Sequence, residues 1–359
     1  MSKVYLPGSV LAAARERIAR VFEGFENIVV SVSGGKDSTA LFWLCVEEAE
    51  RRGRRIKAFF LDQEAEYAAT IEVVDEMMRH PAVEPMWFQV PIKMTNATSF
   101  EDEFLYAWGP GEPWMREKHP LAIHSIPKSY PERFYDFFAW LEKQTPDTAF
   151  MIGLRAEESL NRFRAVVKNP GWNGLAWSTK TPCPTTFRFN PIFDWGAGDV
   201  WRYINESGRP YNAIYDKMYA AGHGIFNTMR VSNLIHEKSF SALTSLQEFE
   251  PDTFDAIVRR LKGAHVASIY ADQDRIFSTR ALPAGFSTWR DYRDYLLATT
   301  PLRRRERFEK RFGGQEASPE VYRQQCRQLM LNDWENNVPP TQRRAEKKRE
   351  TLAKWRALL

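Results

Sequence analysis

A run of apolar, β-branched residues from Ile28 to Val32 leads directly into Ser33-Gly34-Gly35-Lys36-Asp37-Ser38-Thr39, and helix-forming residues follow. A strand, a pair of glycines and a helix start together make an anion site. Glycines let the backbone approach a ligand closely, and the first amides of a helix have no partner within it. Lys36 adds a mobile positive charge. Asp37 is the informative residue, because a carboxylate beside a phosphate repels it unless a divalent cation lies between them. Residues 33 to 39 are therefore expected to hold the phosphates of magnesium-ATP, with Lys36 and Asp37 as catalytic groups and Asp37 meeting magnesium through the nucleotide. The spacing is neither that of the Walker loop nor that of the dinucleotide fingerprint with its separated glycines.

Other candidates follow later strand-like runs, at the end of the sheet where open α/β folds bind ligands. Asp62 is expected among the nucleotide contacts and Glu64 among the substrate contacts, with helix capping as the alternative. Arg155, Glu158 and Arg162 follow the run Ala149 to Leu154. Guanidinium forks bind phosphate or sulfate oxygens in pairs, so this group is a candidate substrate site; a ladder of surface ion pairs is the other reading. Arg188 is a further candidate anion contact. The three cysteines, Cys45, Cys183 and Cys326, are too far apart for a zinc ribbon and too few for an all-cysteine iron-sulfur cluster, so neither group is expected.

The elements that must position these residues alternate. The pattern predicts a helix over 11–22, strands at 28–32, 56–61 and 86–90, and helices after the glycine pair and over 67–79. Successive strand-helix-strand units imply a parallel sheet with helices on both faces. A stretch rich in Trp, Gly and Pro at about 100–131 is too irregular for either period and reads as an inserted loop over the site. The pattern resumes with a helix over 131–143, a strand at 149–154, a helix from Glu157 and a helix from about Asp199 to Ser207. Helical runs follow at about 238–262, 288–299, 303–312, 318–332 and 341–358, which divides the chain into an α/β domain over 1–235 and a mainly helical domain over 236–359.

The chain of 359 residues carries a net charge of +4, unevenly placed. Residues 303–311 hold six basic and two acidic groups, and 341–359 hold seven and two. Those segments permit a contact with nucleic acid or an acidic partner, against the alternative of solvated helix faces. No apolar run is long enough to span a bilayer and the first twenty residues lack a signal-peptide pattern, so a cytoplasmic protein without a membrane contact is expected.

Ser33 to Ser38 resembles the PP-loop of the ATP pyrophosphatase and phosphoadenosine phosphosulfate reductase superfamily. That resemblance implies an adenine-nucleotide α-hydrolase-like sheet with nucleotide over the carboxyl ends of its strands. Gly153-Leu154-Arg155-Ala156-Glu157-Glu158-Ser159 with Arg162 resembles the segment that contacts the phosphosulfate in reductase-like members. The segments Pro191 to Trp195, Asp199 to Trp201 and Pro210 to Asn212 are similar to the part that closes the nucleotide domain. Met218 to Gly222, Arg259 to Ala264, Trp289 to Tyr292 and Leu331 to Asp333 resemble the branch with a C-terminal domain of unknown function, which includes the immunoglobulin-binding regulator A proteins. Membership there implies a ParB/sulfiredoxin-like protein as a partner.

Two departures bear on chemistry. Sulfonucleotide reductases attack sulfur with a cysteine in a Glu-Cys-Gly context, whereas Cys326 sits in Gln324-Gln325-Cys326-Arg327-Gln328. Both Lys36 and Asp37 are kept, as in ATP-using members. The expected reaction is cleavage of magnesium-ATP at the α-β bond with adenylyl transfer to an acceptor. Sulfur transfer through Cys183 is a possible extension, although a lone cysteine between prolines is commonly inert. A phosphosulfate-using reductase or transferase, and a nucleotide-sensing regulator, are the alternatives.

Overall fold

The computed structural model describes residues 7–96, 104–167, 171–224, 229, 231, 233–235, 240–261, 263–264, 281–314 and 316–330. The chain forms two compact units, one comprising 1–94, 104–233 and 247–260, the other 95–103, 234–246 and 261–359.

The first unit is built on a six-stranded sheet. Its strands are β1 (Asn27–Ser31), β2 (Ile56–Leu61), β3 (Val83–Phe88), β6 (Thr148–Ile152), β7 (Ser178–Lys180) and β8 (Phe187–Phe189), in the order β3-β2-β1-β6-β8-β7. All neighbours are parallel except the β7-β8 pair. β1 lies inside the sheet, and Ile28, Val29 and Val30 are all buried, as the unbroken apolar run requires of a strand covered on both faces. A separate ribbon pairs β4 (Ile92–Thr95) with β5 (Phe104–Ala107). This is the parallel α/β arrangement that the pattern implied, and the adenine-nucleotide α-hydrolase-like sheet that the family resemblance implied, with a helical C-terminal region.

Helices α1 (Val10–Gly24), α2 (Lys36–Arg51), α3 (Ala68–Met78) and α4 (Phe134–Gln144) fall close to their predicted spans. In α2, Ala40, Leu41, Leu44 and Cys45 are buried in the core. The register places β3 at Val83, earlier than the predicted start, with Pro85 opposite Ala58. Proline is tolerated there because β3 lies at the edge of the sheet, where a missing amide costs no ladder bond. β7 and β8 have three residues each, too few to show a period. The helix expected from Glu157 is instead a 3-10 turn at Ala156–Glu158, an extended Ser159, and then α5 (Leu160–Val167).

Past α6 (Ala197–Ser207) and α7 (Ile214–Ala220), the helix expected over 238–262 is broken into α8 (Phe240–Phe249) and α9 (Pro251–Arg260). Pro251 suits the first turn of a new helix, where its missing amide has no role. The preceding Glu250 turns its carboxylate to the start of α3, accepting from Ala68 N at 2.7 Å and Ala69 N at 3.0 Å. α9 belongs to the first unit, so that unit reaches past the change of character expected near residue 236.

The second unit contains α10 (Trp289–Thr299), α11 (Leu302–Phe312) and α12 (Pro319–Met330). In its arginine-rich helix, α11, Arg304 is buried and Arg305 donates to the carbonyls of Ala298 and Thr300 at the end of α10, while Lys310 and Arg311 are exposed. The basic segment 341–359 lies outside the described residues. Among the described residues no helix is long and apolar enough to cross a membrane.

Replacing Glu250 by Ala removes an anionic cap from two amides of α3. Equilibrium urea unfolding of the full chain should show a loss of about 1–2 kcal/mol. An unchanged midpoint would mean that water replaces the cap without cost.

Candidate functional site

The segment after β1 turns through Gly34, whose φ is 66°, and enters α2 at Gly35. A side chain at Gly34 would meet the Cγ2 methyl of Thr70 at 2.7 Å, so this position admits only glycine on both conformational and steric grounds. The loop is tied to itself by hydroxyls: Ser33 and Ser38 lie 3.0 Å apart through their Oγ atoms, and Ser38 Oγ donates to the Gly35 carbonyl at 2.9 Å. Thr39 is fully buried, and its hydroxyl has no hydrogen-bond partner among the described residues. Asp37 and Ser38 present first-turn amides that the helix cannot satisfy.

The Asp37 carboxylate is engaged on both oxygens. Arg155 Nε donates to Oδ1 at 2.6 Å, and Lys36 Nζ lies 3.2 Å from Oδ2. Arg155 is 3% exposed and uses a second nitrogen on Glu157 Oε1 at 2.7 Å, while the same oxygen accepts from Ala197 N at the start of α6. A guanidinium thus joins the exit of β6 to the start of α2, and Glu157 joins both to α6. In this structure the protein itself places cations beside Asp37, in Arg155 and Lys36. Among the described residues no group of three or more His, Cys, Asp or Glu side chains is assembled that could by itself hold a metal ion.

Three further residues stand at the loop: Tyr215, which the sequence reading missed, and Gly153 and Asn212, which it placed only within longer family-like segments. Gly153 follows β6 where a Cβ would lie 2.8 Å from Ser38 N, so glycine alone allows β6 and α2 to approach this closely. Tyr215 on α7 accepts from Lys36 N through its hydroxyl at 3.0 Å, and Asn212 donates to the Gly34 carbonyl at 3.1 Å and to Thr70 Oγ1 at 2.9 Å. Gly153 was legible as a glycine immediately after a strand. Tyr215 and Asn212 come from some 180 residues away along the chain; Asn212 lies in the family-like segment Pro210 to Asn212, and nothing local marks Tyr215.

Asp62 and Glu64 are corrected from ligand contacts to internal anchors. Both side chains are fully buried. Asp62 accepts from Trp87 Nε1, Gln89 Nε2, Arg116 Nη2 and the Glu64 amide, at 3.0, 2.9, 2.7 and 2.9 Å. Glu64, held at a φ of 65°, accepts from Trp108 N, Met115 N and Arg260 Nε at 3.0, 3.1 and 2.9 Å. The Trp-rich insertion is fastened to the sheet by these two carboxylates. Among its described residues the one regular element is β5, and Arg116 stacks over Trp108 at 4.9 Å.

Arg188 also has a structural partner: its guanidinium forks onto the buried Glu142, with Nη2 at 2.8 Å from Oε2, and lies over the Phe138 ring. Glu158 and Arg162 form an i, i+4 ion pair on the turn and helix after β6. Of the three residues grouped after β6, Arg155 is the one that the structure brings to the loop.

The cysteines are spread apart. Cys45 is buried in the core, and Cys326 is buried on α12, where its thiol, 3.5 Å from the Trp289 carbonyl, is pushed up to about 12 by burial. Cys183 lies in the β7-β8 hairpin beside residues 145–147, since Thr185 Oγ1 accepts from Asp147 N and Thr186 Oγ1 donates to the Thr145 carbonyl. That is the entry to β6, whereas the loop lies at its exit, so Cys183 is separated from Asp37 by the length of a strand. Its candidacy as a sulfur carrier to the loop is corrected accordingly.

With this geometry in hand, comparisons with known proteins fall into a consistent group. Residues 27–222 match the model of the phosphoadenosine phosphosulfate reductase domain, and 224–331 match a domain of unknown function, DUF3440. The protein named Uncharacterized protein YbdN in Escherichia coli is 29% identical over 322 residues, covering 85% of this chain and 79% of that one. An adenosine 5'-phosphosulfate reductase of Allochromatium vinosum is 25% identical over 58% of this chain and 70% of its own length. A probable FAD synthase of Schizosaccharomyces pombe is 22% identical over 56% of this chain and 61% of its own. Among solved structures, FMN adenylyltransferase of Candida glabrata with FMN and an ATP analogue aligns with a TM-score of 0.38 and 14% identity, over 60% of this chain and 63% of that one.

Two expected outcomes follow from the geometry. Arg155→Lys keeps the charge but cannot serve Asp37 and Glu157 together, so urea unfolding should show a loss of about 1–3 kcal/mol; equal stability would mean that the bridge is redundant. Glu66 is buried beside Asp62, which pushes its acid from the ordinary 4.5 up to about 8, with Arg116 offsetting part of the rise. A raised folded-state value means that the stabilisation is complete below about pH 4.5 and is lost as pH rises through about 8. Glu66→Gln should flatten that decline. Parallel pH-stability curves for wild type and variant would refute the assignment.

Proposed function

Because this chain belongs to the phosphoadenosine phosphosulfate reductase domain family, we propose that it is an enzyme that binds ATP at residues 33–39 and cleaves it between the α and β phosphates, transferring the adenylyl group to an acceptor. The observation that carries the proposal is the loop itself. Gly34 and Gly153 clear its surroundings, the helix start supplies amides at Asp37 and Ser38, and Lys36 stands beside them. Backbone amides and a lysine in a partly buried setting stabilise the charge that shifts onto a leaving pyrophosphate without reorganising at the moment of reaction. Magnesium would arrive on the phosphates of the nucleotide rather than on Asp37.

Arg155 and Asp37 act here as positioning residues. Arg155 holds the Asp37 carboxylate, and the carboxylate in turn keeps Lys36 Nζ within 3.2 Å. The chemistry reduces to holding the phosphates in line with an acceptor oxygen, a role in which orientation supplies much of the rate. The relationship to a probable FAD synthase supports adenylyl transfer, and the relationship to an adenosine 5'-phosphosulfate reductase supports an adenine nucleotide as ligand. Sulfonucleotide reduction is the second reading. It requires a nucleophilic thiol near the nucleotide, and burial disfavours the thiolates of Cys45 and Cys326 while Cys183 lies at the far edge of the sheet.

A comparison of wild type with Lys36→Ala, Asp37→Ala and a triple cysteine-to-serine variant tests the reading, with ATP affinity measured by calorimetry and pyrophosphate release measured with cell extract as the acceptor source. Lys36→Ala should lose about tenfold or more in ATP affinity. Asp37→Ala should abolish pyrophosphate release, and the cysteine-free protein should retain it. Tight binding of phosphoadenosine phosphosulfate with no measurable affinity for ATP would sink the proposal.

A further inference from the structure

A cavity of about 240 Å³ lies against α6 and α7, lined in part by Trp201, Asn205, Tyr211, Tyr215, Asp216 and Tyr219. It is smaller than the roughly 300 Å³ at the low end of ordinary ligand sites, so its occupant is a compact group. The rings define its shape. Trp201 stands at 85° to Tyr215 with centroids 5.0 Å apart, and at 84° to Tyr211 at 6.3 Å. A flat heterocycle is held between parallel faces, and Trp201 is parallel to neither tyrosine. Rings packed edge to face instead line a rounded space with aromatic surface, which attracts a cation where a ring face borders it.

Charge points the same way. Among the described residues Asp216 is the one charged residue in the lining, and the Tyr211 hydroxyl donates to its Oδ1 at 2.7 Å, which fixes the carboxylate at the cavity. The basic residues nearby in the chain are directed elsewhere: Arg202 pairs with Glu206, Arg209 with Glu50, and Lys217 donates to the Phe249 carbonyl. Among the described residues, then, no base neutralises Asp216 from within the lining.

We propose that this cavity binds a small alkylammonium cation, enclosed by the rings of Trp201, Tyr211 and Tyr215 and balanced by the Asp216 carboxylate. The site is distinct from the nucleotide loop and independent of the adenylyl-transfer reading. It adjoins the loop through Tyr215, whose ring forms a wall of the cavity while its hydroxyl accepts from Lys36 N.

Calorimetric titration of the full chain with choline, and with its uncharged carbon isostere, tests the assignment. Choline should bind, and the isostere should bind about tenfold more weakly or not at all, because it lacks the attraction to ring faces and carboxylate. Asp216→Asn and Trp201→Ala should each weaken choline about tenfold, whereas Trp201→Phe, which keeps a ring, should retain most of the affinity. Asp216 is exposed, so its replacement does not threaten the fold and gives a decisive readout even where Trp201→Ala unfolds. Equal affinity for choline and its isostere, absence of choline binding, or indifference to Asp216→Asn would overturn the proposal.

Discussion

The pairing of Arg155 with Asp37 is the contact on which the site depends. It joins the segment after β6 to the first turn of α2, across 118 positions of sequence, with Arg155 almost wholly removed from water and Asp37 partly so. Burying either charge alone would cost several kcal/mol, so each requires the other. Glu157 takes the second face of the guanidinium and passes the connection to the amide of Ala197. The sheet, α2 and α6 are thus held at one point by alternating charges. The close approach that this requires is available because Gly153 has no side chain to place against Ser38 N.

Burial of acids organises the other side of the unit. Asp62 and Glu64 stand at the exit of β2, where an exposed carboxylate would suit a ligand, yet each is surrounded by protein donors. A buried carboxylate that accepts three or four hydrogen bonds from fixed groups is a strong constraint on the chain that supplies them. Here those donors come from β3, from the Trp-rich insertion and from the end of α9. The positive φ of Glu64 is uncommon for a residue with a long side chain, and it turns the carboxylate toward Trp108 N and Met115 N. An irregular segment without a helical or strand period acquires a defined path in this way.

The loop and its surroundings also explain the placement of reactive groups. Hydroxyls of Ser33 and Ser38 bond within the loop, so its polar atoms left for a ligand are chiefly backbone amides and Lys36. Thiols are kept away, in the core, on α12 and at the opposite edge of the sheet. A site of this composition favours charge stabilisation and orientation over covalent attack by the protein.

The amino-acid sequence by itself determined the strand-glycine-helix order around residues 33–39, the boundaries of β2 and α2, and the apolar character of β1, because each rests on local backbone preference and on a periodicity that neighbouring residues share. It also supported the family, through short motifs in which glycine, lysine and aspartate stand at fixed spacing. The tertiary structure alone decided what the charged side chains do. Asp37 is met by Arg155, Asp62 by Arg116, Glu64 by Arg260 and Arg188 by Glu142, and each of these partners lies from 46 to 196 residues away. Whether a carboxylate after a strand faces a ligand or a buried arginine depends on which distant segment the sheet brings beside it. That pairing is set by the packing of the whole unit, and local spacing carries no record of it.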